Sequence, residues 1–450
     1  MNRGEKARSP VETIRGKLKM AERNMGFWSV VAVGIGGMVG GGIFAVLGLS
    51  VQLAQGGAPL AFAIAGIVAL LTTYAYVQLS IAFPSQGGTV TFLNKAFGTG
   101  VLTGGMNLLL WLSYIVMLSL YASAFGSYGA VFFPESAQVW IKHLLISGAI
   151  IGITGLNLLS ADLIGRAESW IVAFKLIILG VFIGIGVRGV DLAQLQPSTW
   201  ASPLSIVSGG MIIFLAFEGF ELMANAAEDV KHPERTLPRA YYSAVIFVLL
   251  LYVLIAAITV GSLPTAQIVA AKEYALAAAA KPFMGQAGFS LIAIAALLST
   301  ASALNATLYG TSRLSFIIAK SGELPSALEK KIWNQPIEGL LITSGLTLII
   351  ANVFDLSGIS TMGSSGFLLI FAAVNFANVR LYQRTNSYRW ISFLATVACL
   401  AAVVVLLTQT AQTNPRNLWI VVVMVGLAFA IEIIYRKLTD REIHLKDLRD

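Results

Sequence analysis

Residues 34–44 read GIGGMVGGGIF, with six glycines in eleven positions of an otherwise apolar stretch. Glycine destabilises a helix interior by about 1 kcal/mol relative to alanine. A stretch whose only task was to cross a membrane would not concentrate that residue. The glycines therefore need an explanation of their own, and the rest of the chain decides which one applies.

The composition is that of an integral membrane protein. Of the 450 residues, 57% are hydrophobic and 12% are charged, against about 25% charged in a typical soluble domain. Apolar runs of roughly 20 residues, long enough to cross a bilayer, recur along the whole chain. The polar, basic residues 1–25 lack the apolar core of a signal peptide. One cysteine and three scattered histidines offer neither a disulfide framework nor a metal site.

Twelve transmembrane helices are predicted, so the expected fold class is an all-α integral membrane protein. Lysine and arginine favour cytoplasmic loops. With the N-terminus inside, we assign 24 of the 30 to the cytoplasmic side, counting Arg313 near the inner end of its span, five to outer connections and one, Lys175, to the middle of a span. This predicts a multi-pass protein of the cell membrane with both termini in the cytoplasm. Its expected surroundings are lipid, and no nucleic-acid partner is expected. The spans lie near 26–54, 59–82, 102–127, 142–159, 168–187, 205–228, 240–262, 286–318, 338–354, 359–379, 389–409 and 417–435.

Three interpretations of the glycine-rich stretch compete. A dinucleotide-binding loop requires a preceding β-strand, and here the flanks are membrane-length apolar helix. Close helix packing through small residues four apart, such as Gly36 and Gly40, explains part of the pattern. An interrupted helix at Gly40–Gly42 explains the three consecutive glycines, because its freed N–H groups can bind a carboxylate at bilayer depth. The second and third interpretations both remain open at this point.

A second interruption is predicted in the sixth span, where 214–221 reads FLAFEGFE with Glu218 and Glu221 around Gly219. Interrupted helices at equivalent places in two halves are typical of inverted-repeat transporters. The first and sixth positions predict a repeat of five helices. The expected organisation is a cytoplasmic tail at 1–25, a first repeat at 26–187, a second repeat at 205–379, two accessory helices at 389–435 and a cytoplasmic tail at 436–450.

Lys175 is predicted to lie near the middle of the membrane. It follows Arg166 by nine residues, about 13 Å along a helix at 1.5 Å per residue. Its side chain either extends back toward the lipid headgroups or serves a function such as carrying a proton, since burial disfavours the charged form of lysine.

Five motifs resemble the amino acid–polyamine–organocation (APC) transporter superfamily, and most closely its proton-coupled prokaryotic amino-acid permeases. The resemblance implies a LeuT-like bundle of two inverted repeats of five helices, with helices 1 and 6 broken, plus two accessory helices. The motifs are GGMVGGGIF (36–44), FPSQGGTVTFLNKAFG (83–98), GRAESWIVAFKLIILG (165–180), FLAFEGFELMANAAEDVKHPERTLPRA (214–240) and ALLSTASALNATLYG (296–310).

The resemblance also implies roles for particular residues. The substrate carboxylate would meet the amides of Gly40, Gly41 and Gly42. The substrate amino group would meet backbone carbonyls, and two aromatic rings would line or gate the pocket. In proton coupling, Lys175 would contact the Gly36 carbonyl and two hydroxyls. Glu221 would either take part in proton movement and helix support or have a purely structural, hydrogen-bonded role. The carbonyl donors are Gly36, Gly37, Ala216, Phe217 and Glu218, the rings are Phe217 and Phe220, and the hydroxyls are Ser299 and Ser302.

Glu218 departs from the family pattern, which usually has an apolar residue there. Its carboxyl either enters the pocket, where it would favour substrates with an extra cation, or points away as a protonatable support.

The expected function is proton-coupled amino acid symport by alternating access, with the proton as coupling ion and no other cofactor or metal. An amino acid exchanger or an amine or polyamine transporter of the same fold is the alternative. An enzyme or a channel would need a catalytic motif, a selectivity filter or rings of charge, and none is evident. The expected oligomeric state is a monomer or a weak dimer.

Overall fold

A computed structural model of the chain describes residues 24–159, 164–320, 322 and 337–439. Over these residues the protein is a bundle of helices joined by turns, with two isolated backbone bridges. Most of both predicted tails, 1–25 and 436–450, and most of the KSGELPSALEKK connector at 320–331 lie outside the described residues.

The first part of the chain contains seven described α-helices. Proline stands in the first turn of the third, where its missing N–H is not needed, and Gly98 ends the fourth with a φ of 73°. The helices are α1 (Phe27–Met38), α2 (Gly42–Ala54), α3 (Ala58–Ala82), α4 (Gly88–Phe97), α5 (Val101–Ala130), α6 (Gln138–Leu159) and α7 (Ile164–Gly186).

The second part contains nine more among the described residues, and a 3₁₀ turn at Phe214–Phe217 separates the first two. Asp355 caps one of them by accepting a hydrogen bond from the Gly358 N–H. The helices are α8 (Pro203–Ile212), α9 (Leu222–Asn225), α10 (Pro233–Ser262), α11 (Thr265–Ala271), α12 (Ala275–Lys320), α13 (Ile337–Val353), α14 (Leu356–Thr385), α15 (Arg389–Thr413) and α16 (Pro415–Thr439).

The helices have the length and apolarity that membrane crossing requires. In the described part of the chain, nine are long and apolar enough alone, and two further candidates are pairs bent at a short break. Helix α13 is apolar but has 17 residues, close to the shortest length that spans a bilayer. The all-helical membrane fold class is therefore confirmed, and each predicted span coincides with a helix or a bent pair.

Several predicted boundaries were wrong by more than a turn. Helix α10 begins at Pro233, seven residues before the expected start at 240, because a polar segment continues the helix beyond its apolar part. Helix α12 begins at Ala275 and is kinked at Gly285, where φ is 66°. The predicted start at 286 coincides with that kink.

The most buried helices surround the two bent pairs. Helix α5 is buried over 89% of its most apolar stretch and α14 over 83%, whereas α16 is buried over only 22%. Helix α10 packs against α1, and α8 packs against α2 and α3. The two interrupted helices therefore lie in the interior, and helices such as α16 cover the outside.

Contacts between connections define two ends of the bundle. At one end, the Met25 N–H donates to the Asp229 carbonyl over 3.0 Å and the Lys231 N–H donates to Met25 over 2.9 Å. At the other end, the Lys142 ammonium pairs with Glu273 over 2.8 Å. We call these the Met25 end and the Lys142 end. An even number of predicted spans separates the two residues of each contact, and an odd number separates Met25 from Lys142. Each contact therefore lies at one end of the bundle, and the two ends are opposite.

Candidate functional site

The first helix is interrupted where the glycines predicted. Helix α1 ends at Met38, α2 begins at Gly42, and the two are bent by 47°. The Val39 N–H still bonds to Ile35, and the Ala45 N–H already bonds to Gly41. Among the described residues, no acceptor is present for the amides of Gly40–Gly42. Three unbonded N–H groups therefore lie at the start of α2, where the helix dipole favours an anion.

The second interruption separates α8 from α9, with a bend of 50°. Two serines of α14 bind the backbone that this break exposes. The Ser364 hydroxyl donates to the Ile212 carbonyl over 2.9 Å and accepts from the Leu215 N–H over 3.2 Å. The Ser360 hydroxyl donates to the same carbonyl over 2.6 Å. Such partners are what an irregular backbone inside a bilayer requires.

The two breaks contact each other through glycine backbone. A Cβ on Gly42 would lie 2.8 Å from the Cα of Ala216, and one on Gly37 would lie 2.9 Å from the Gly219 carbonyl oxygen. Gly219 itself has a φ of 113°, a conformation that other residues rarely adopt. The glycines thus serve both open interpretations, because they interrupt the helix and let the second break approach it.

Tyr252 of α10 joins the two breaks, and sequence reasoning missed it. Its hydroxyl lies 2.6 Å from the Met38 carbonyl oxygen and 3.2 Å from that of Ala216. Its ring packs edge-on against Phe217 with centroids 5.2 Å apart. In the sequence, Tyr252 stands in the apolar run FVLLLYVLIAA. Its hydroxyl is the one polar side-chain group of that run and was the only signal that could have pointed to it.

Lys175 reaches the first break from α7. It is 2% exposed, and its ammonium donates to the Gly36 carbonyl over 3.3 Å. The Ser299 hydroxyl approaches the same break from α12 and donates to the carbonyls of Val39 and Gly40. Ser302 is half-buried one turn further along α12. The structure thus brings Lys175, Gly36 and Ser299 together around the end of α1.

Glu218 and Glu221 both belong to the second break and are 3% and 2% exposed. The Tyr114 hydroxyl donates to Oε1 of Glu221 and the Gly219 N–H donates to Oε2, both over 2.8 Å. The backbone N–H of Glu218 donates to the Leu215 carbonyl over 3.2 Å. Both roles expected for Glu218, in the substrate pocket or as a support of the turn, stay predictions.

The two predicted pocket rings are fully buried but differ in surroundings. Phe220 packs against Tyr76 and Phe371, with centroids 5.4 and 5.2 Å away. Phe217 packs against the tyrosine that joins the breaks. A further ring, Tyr121 of α5, was not predicted. Its hydroxyl oxygen would lie 3.2 Å from a Cβ on Gly40, so it borders the first break.

Two interrupted helices that meet inside an apolar bundle define a class of membrane transport protein. The sequence profile of the amino acid permease family matches residues 25–429. The chain belongs to this family, whose members are transporters and not enzymes, and the predicted resemblance is confirmed.

Individual proteins are similar to the chain in sequence or in fold. The chain is 34% identical to the inner membrane transport protein YbaT of Escherichia coli, over 88% of this chain and 93% of that protein. It is 25% identical to the methylthioribose transporter of Bacillus subtilis, over 84% and 85%. A crystal structure of a manganese transporter from Eremococcus coleocola is similar in fold, with a TM-score of 0.59, 14% identity and coverage of 92% and 96%.

Proposed function

We propose that the protein is a proton-coupled symporter of amino acids that works by alternating access. The observation that carries this proposal is the hydrogen bond from the buried Lys175 ammonium to the Gly36 carbonyl beside the first break. An intramembrane lysine is costly unless it has a function. Here it holds the end of α1, next to the break whose amides are the candidate substrate site.

The substrate carboxylate is proposed to bind the amides of Gly40, Gly41 and Gly42, which have no acceptor among the described residues. The substrate amino group would bind backbone carbonyls across from them. Two of the predicted carbonyls are already engaged, Gly36 by Lys175 and Ala216 by Tyr252. Those of Gly37, Phe217 and Glu218 are the better candidates.

Coupling follows from the charge on Lys175. Protonated, it attracts the carbonyl dipole at the end of α1 and links α7 to α1, while Ser299 links α12 to the same break. Loss of the proton removes the charge and weakens the first link. Helix α1 is then free to move, and the proton gradient drives the substrate gradient. Glu221 is proposed as a second group in proton coupling.

The proposed architecture is the LeuT-like one, with repeats at 26–187 and 205–379 and accessory helices at 389–435. The breaks support it, because one lies in the first helix of each proposed repeat. We further propose that the protein lies in the cell membrane as a monomer or weak dimer, with the Met25 end and both termini cytoplasmic. The alternatives are predominant exchange, transport of amines or polyamines, and a preference for cationic substrates conferred by Glu218. The following assay distinguishes them.

The test is uptake of a panel of labelled amino acids and amines into proteoliposomes, with and without a proton gradient, across pH. We expect at least one amino acid to accumulate with the gradient and to show counterflow without it. Lys175→Ala should abolish accumulation while counterflow remains. Lys281→Ala, an exposed lysine at the start of α12, is the matched control. Unchanged proton-driven accumulation in Lys175→Ala would refute the coupling assignment.

A further inference from the structure

Basic side chains of three helices lie beside the turn between α4 and α5, at the Met25 end of the bundle. The guanidinium carbon of Arg380, near the end of α14, lies 5.3 Å from the centroid of the Phe97 ring. The guanidinium of Arg436, near the end of α16, donates to the Thr99 carbonyl. Lys95 stands two residues before Phe97, in the last turn of α4. We call Lys95, Arg380 and Arg436, together with Arg384 one turn beyond Arg380 on α14, the basic cluster.

Acidic side chains do not neutralise the basic cluster within the described residues. Nε of Arg436 lies 3.8 Å from Oε1 of Glu432. In the described part of the chain, Lys95, Arg380 and Arg384 form no salt bridge, and all three are exposed. Like charges four residues apart on a helix repel each other, so Arg380 and Arg384 are stabilised by a bound anion. The cluster therefore presents unpaired cations to an anion from outside the described chain.

An apolar surface continues from the basic cluster toward the interior of the membrane. Phe376 lies one turn before Arg380 on α14 and stacks on Phe97, with ring centroids 6.1 Å apart and an interplanar angle of 13°. Phe376 is 42% exposed, although most of α14 is buried. Beside the turn, a Cβ on Gly98 or Gly100 would meet no atom within 4 Å. The surface thus combines cations and open space with an exposed ring about 6 Å deeper along the helix.

An anionic phospholipid combines the groups that such a surface can bind. Its phosphate accepts charge-assisted hydrogen bonds from arginine, and its acyl chain can lie against an exposed ring inside the bilayer. Basic pockets between transmembrane helices bind such headgroups. Basic residues that only set the orientation of a span require neither the exposed ring nor the shared turn. A zwitterionic headgroup brings a cation of its own, which the unpaired charges of the cluster repel.

We propose that the basic cluster binds the headgroup of one anionic phospholipid at the Met25 end, with an acyl chain against Phe376. Occupation of this site would hold α4 in place, because Lys95 and Phe97 belong to its last turn. At the start of α4, Gly88 packs so closely against Asn225 of α9 that a Cβ there would overlap the amide oxygen. Helix α4 therefore connects the lipid site to the helix that follows the second break, and bound lipid stabilises this connection.

Native mass spectrometry of the purified full-length protein tests the site. The protein is titrated with phosphatidylglycerol or phosphatidylcholine, and the lipid bound to each chain is counted. We expect one phosphatidylglycerol to bind more tightly than any further copy and more tightly than phosphatidylcholine. Arg380→Gln removes one cation and should weaken this binding about fivefold. Glycerol phosphate, which has no acyl chain, should not compete at the same concentration.

Arg313→Gln is the matched control, because Arg313 is an exposed arginine of α12 whose guanidinium also stacks on a ring, that of Tyr309. It should leave the affinity for phosphatidylglycerol unchanged. Equal affinity for the two lipids, unchanged affinity in Arg380→Gln or an equal loss in the control would overturn the proposal. Competition by glycerol phosphate would also overturn it, because the surface would then bind a soluble anion. Should Arg380→Gln not fold, Arg384→Gln decides by the same criteria. None of these measurements involves transport, so the lipid site and the proposed function are tested separately.

Discussion

At the scale of single residues, the site depends on groups with small or absent side chains. Gly37 and Gly42 let one broken helix approach the backbone of the other. Hydroxyl groups from Tyr252, Ser299 and Ser364 then bind the carbonyls that the breaks expose. The candidate substrate site is therefore built largely from backbone, and side chains from neighbouring helices hold that backbone in place.

Gly42→Ala is expected to damage substrate binding. The added methyl would lie 2.8 Å from the Cα of Ala216, and overpacking of this kind costs about 1–3 kcal/mol. If the cost falls on the bound state, affinity drops by about 5- to 150-fold, which uptake competition would measure. Gly152→Ala on α6, where no atom lies within 4 Å, is the control. Equal affinity in both variants would refute the close approach.

Tyr252→Phe is expected to loosen the contact between the two breaks. The ring and its packing on Phe217 remain, but the carbonyls of Met38 and Ala216 lose their hydroxyl partner. An unsatisfied buried acceptor costs about 1–3 kcal/mol, so thermal stability in detergent should fall together with the transport rate. Tyr242→Phe, half-buried on the same helix, should change neither. A Tyr252→Phe protein as stable and active as the parent would contradict this role.

At the scale of elements, each interrupted helix depends on its neighbours. Helices α7, α10 and α12 contact the first break through Lys175, Tyr252 and Ser299. The second break is held by two serines of α14 and by Tyr114 of α5. Movement of either break must therefore disturb several helices at once. Contacts at the two ends of the bundle are then expected to control which side opens.

The Lys142–Glu273 ion pair is expected to favour closure of the Lys142 end. It joins α6 to the turn before α12 and is partly exposed, with side chains 27% and 14% accessible. A partly exposed pair contributes about 0.2–1 kcal/mol. Glu273→Gln should thus increase labelling of a cysteine at the buried Ala275 by up to about fivefold.

Exchange of the two charges is the control for that variant. The double variant Lys142→Glu with Glu273→Lys keeps an ion pair in the same place and should restore the original labelling rate. Labelling that stays fast in the double variant would mean that the ion pair does not hold this end closed. The native Cys399 is buried and adds little background.

At the scale of the whole molecule, the contacts at its ends agree with alternating crossings. Met25 pairs with the segment Asp229–Lys231 after the second interrupted helix, and Gln55 pairs with Trp200 before it. Each pair joins connections that the predicted twelve spans assign to one side. These contacts agree with an even number of crossings between Met25 and Asp229 and between Gln55 and Trp200.

Labelling from one side of the membrane tests the orientation. Lys231 and Lys272 are both exposed, the first at the Met25 end and the second beside Glu273. An impermeant maleimide added to intact cells should label Lys272→Cys and leave Lys231→Cys unlabelled until the membrane is opened. The reverse pattern would place the termini outside.

Sequence predicted much of this molecule because lipid imposes strong constraints. The lengths of the apolar runs predicted the spans, and three consecutive glycines predicted the first break. Sequence did not identify Tyr252, Ser360 or Ser364, because one hydroxyl in an apolar helix is indistinguishable from a packing residue until its partner is known. The start of α10 was misplaced because PERTLPRA (233–240) is polar although it is helical.

The requirement for a substrate carboxylate tests the central claim most directly. An amino acid that the protein transports is compared, as a competitor of uptake, with its carboxamide and with the amine that lacks the carboxyl group. Hydrogen bonds to a charged group contribute about 1.5–3 kcal/mol each. If the amides of Gly40–Gly42 hold the carboxylate, both analogues should compete at least about tenfold more weakly. Equal competition by all three compounds would contradict the account.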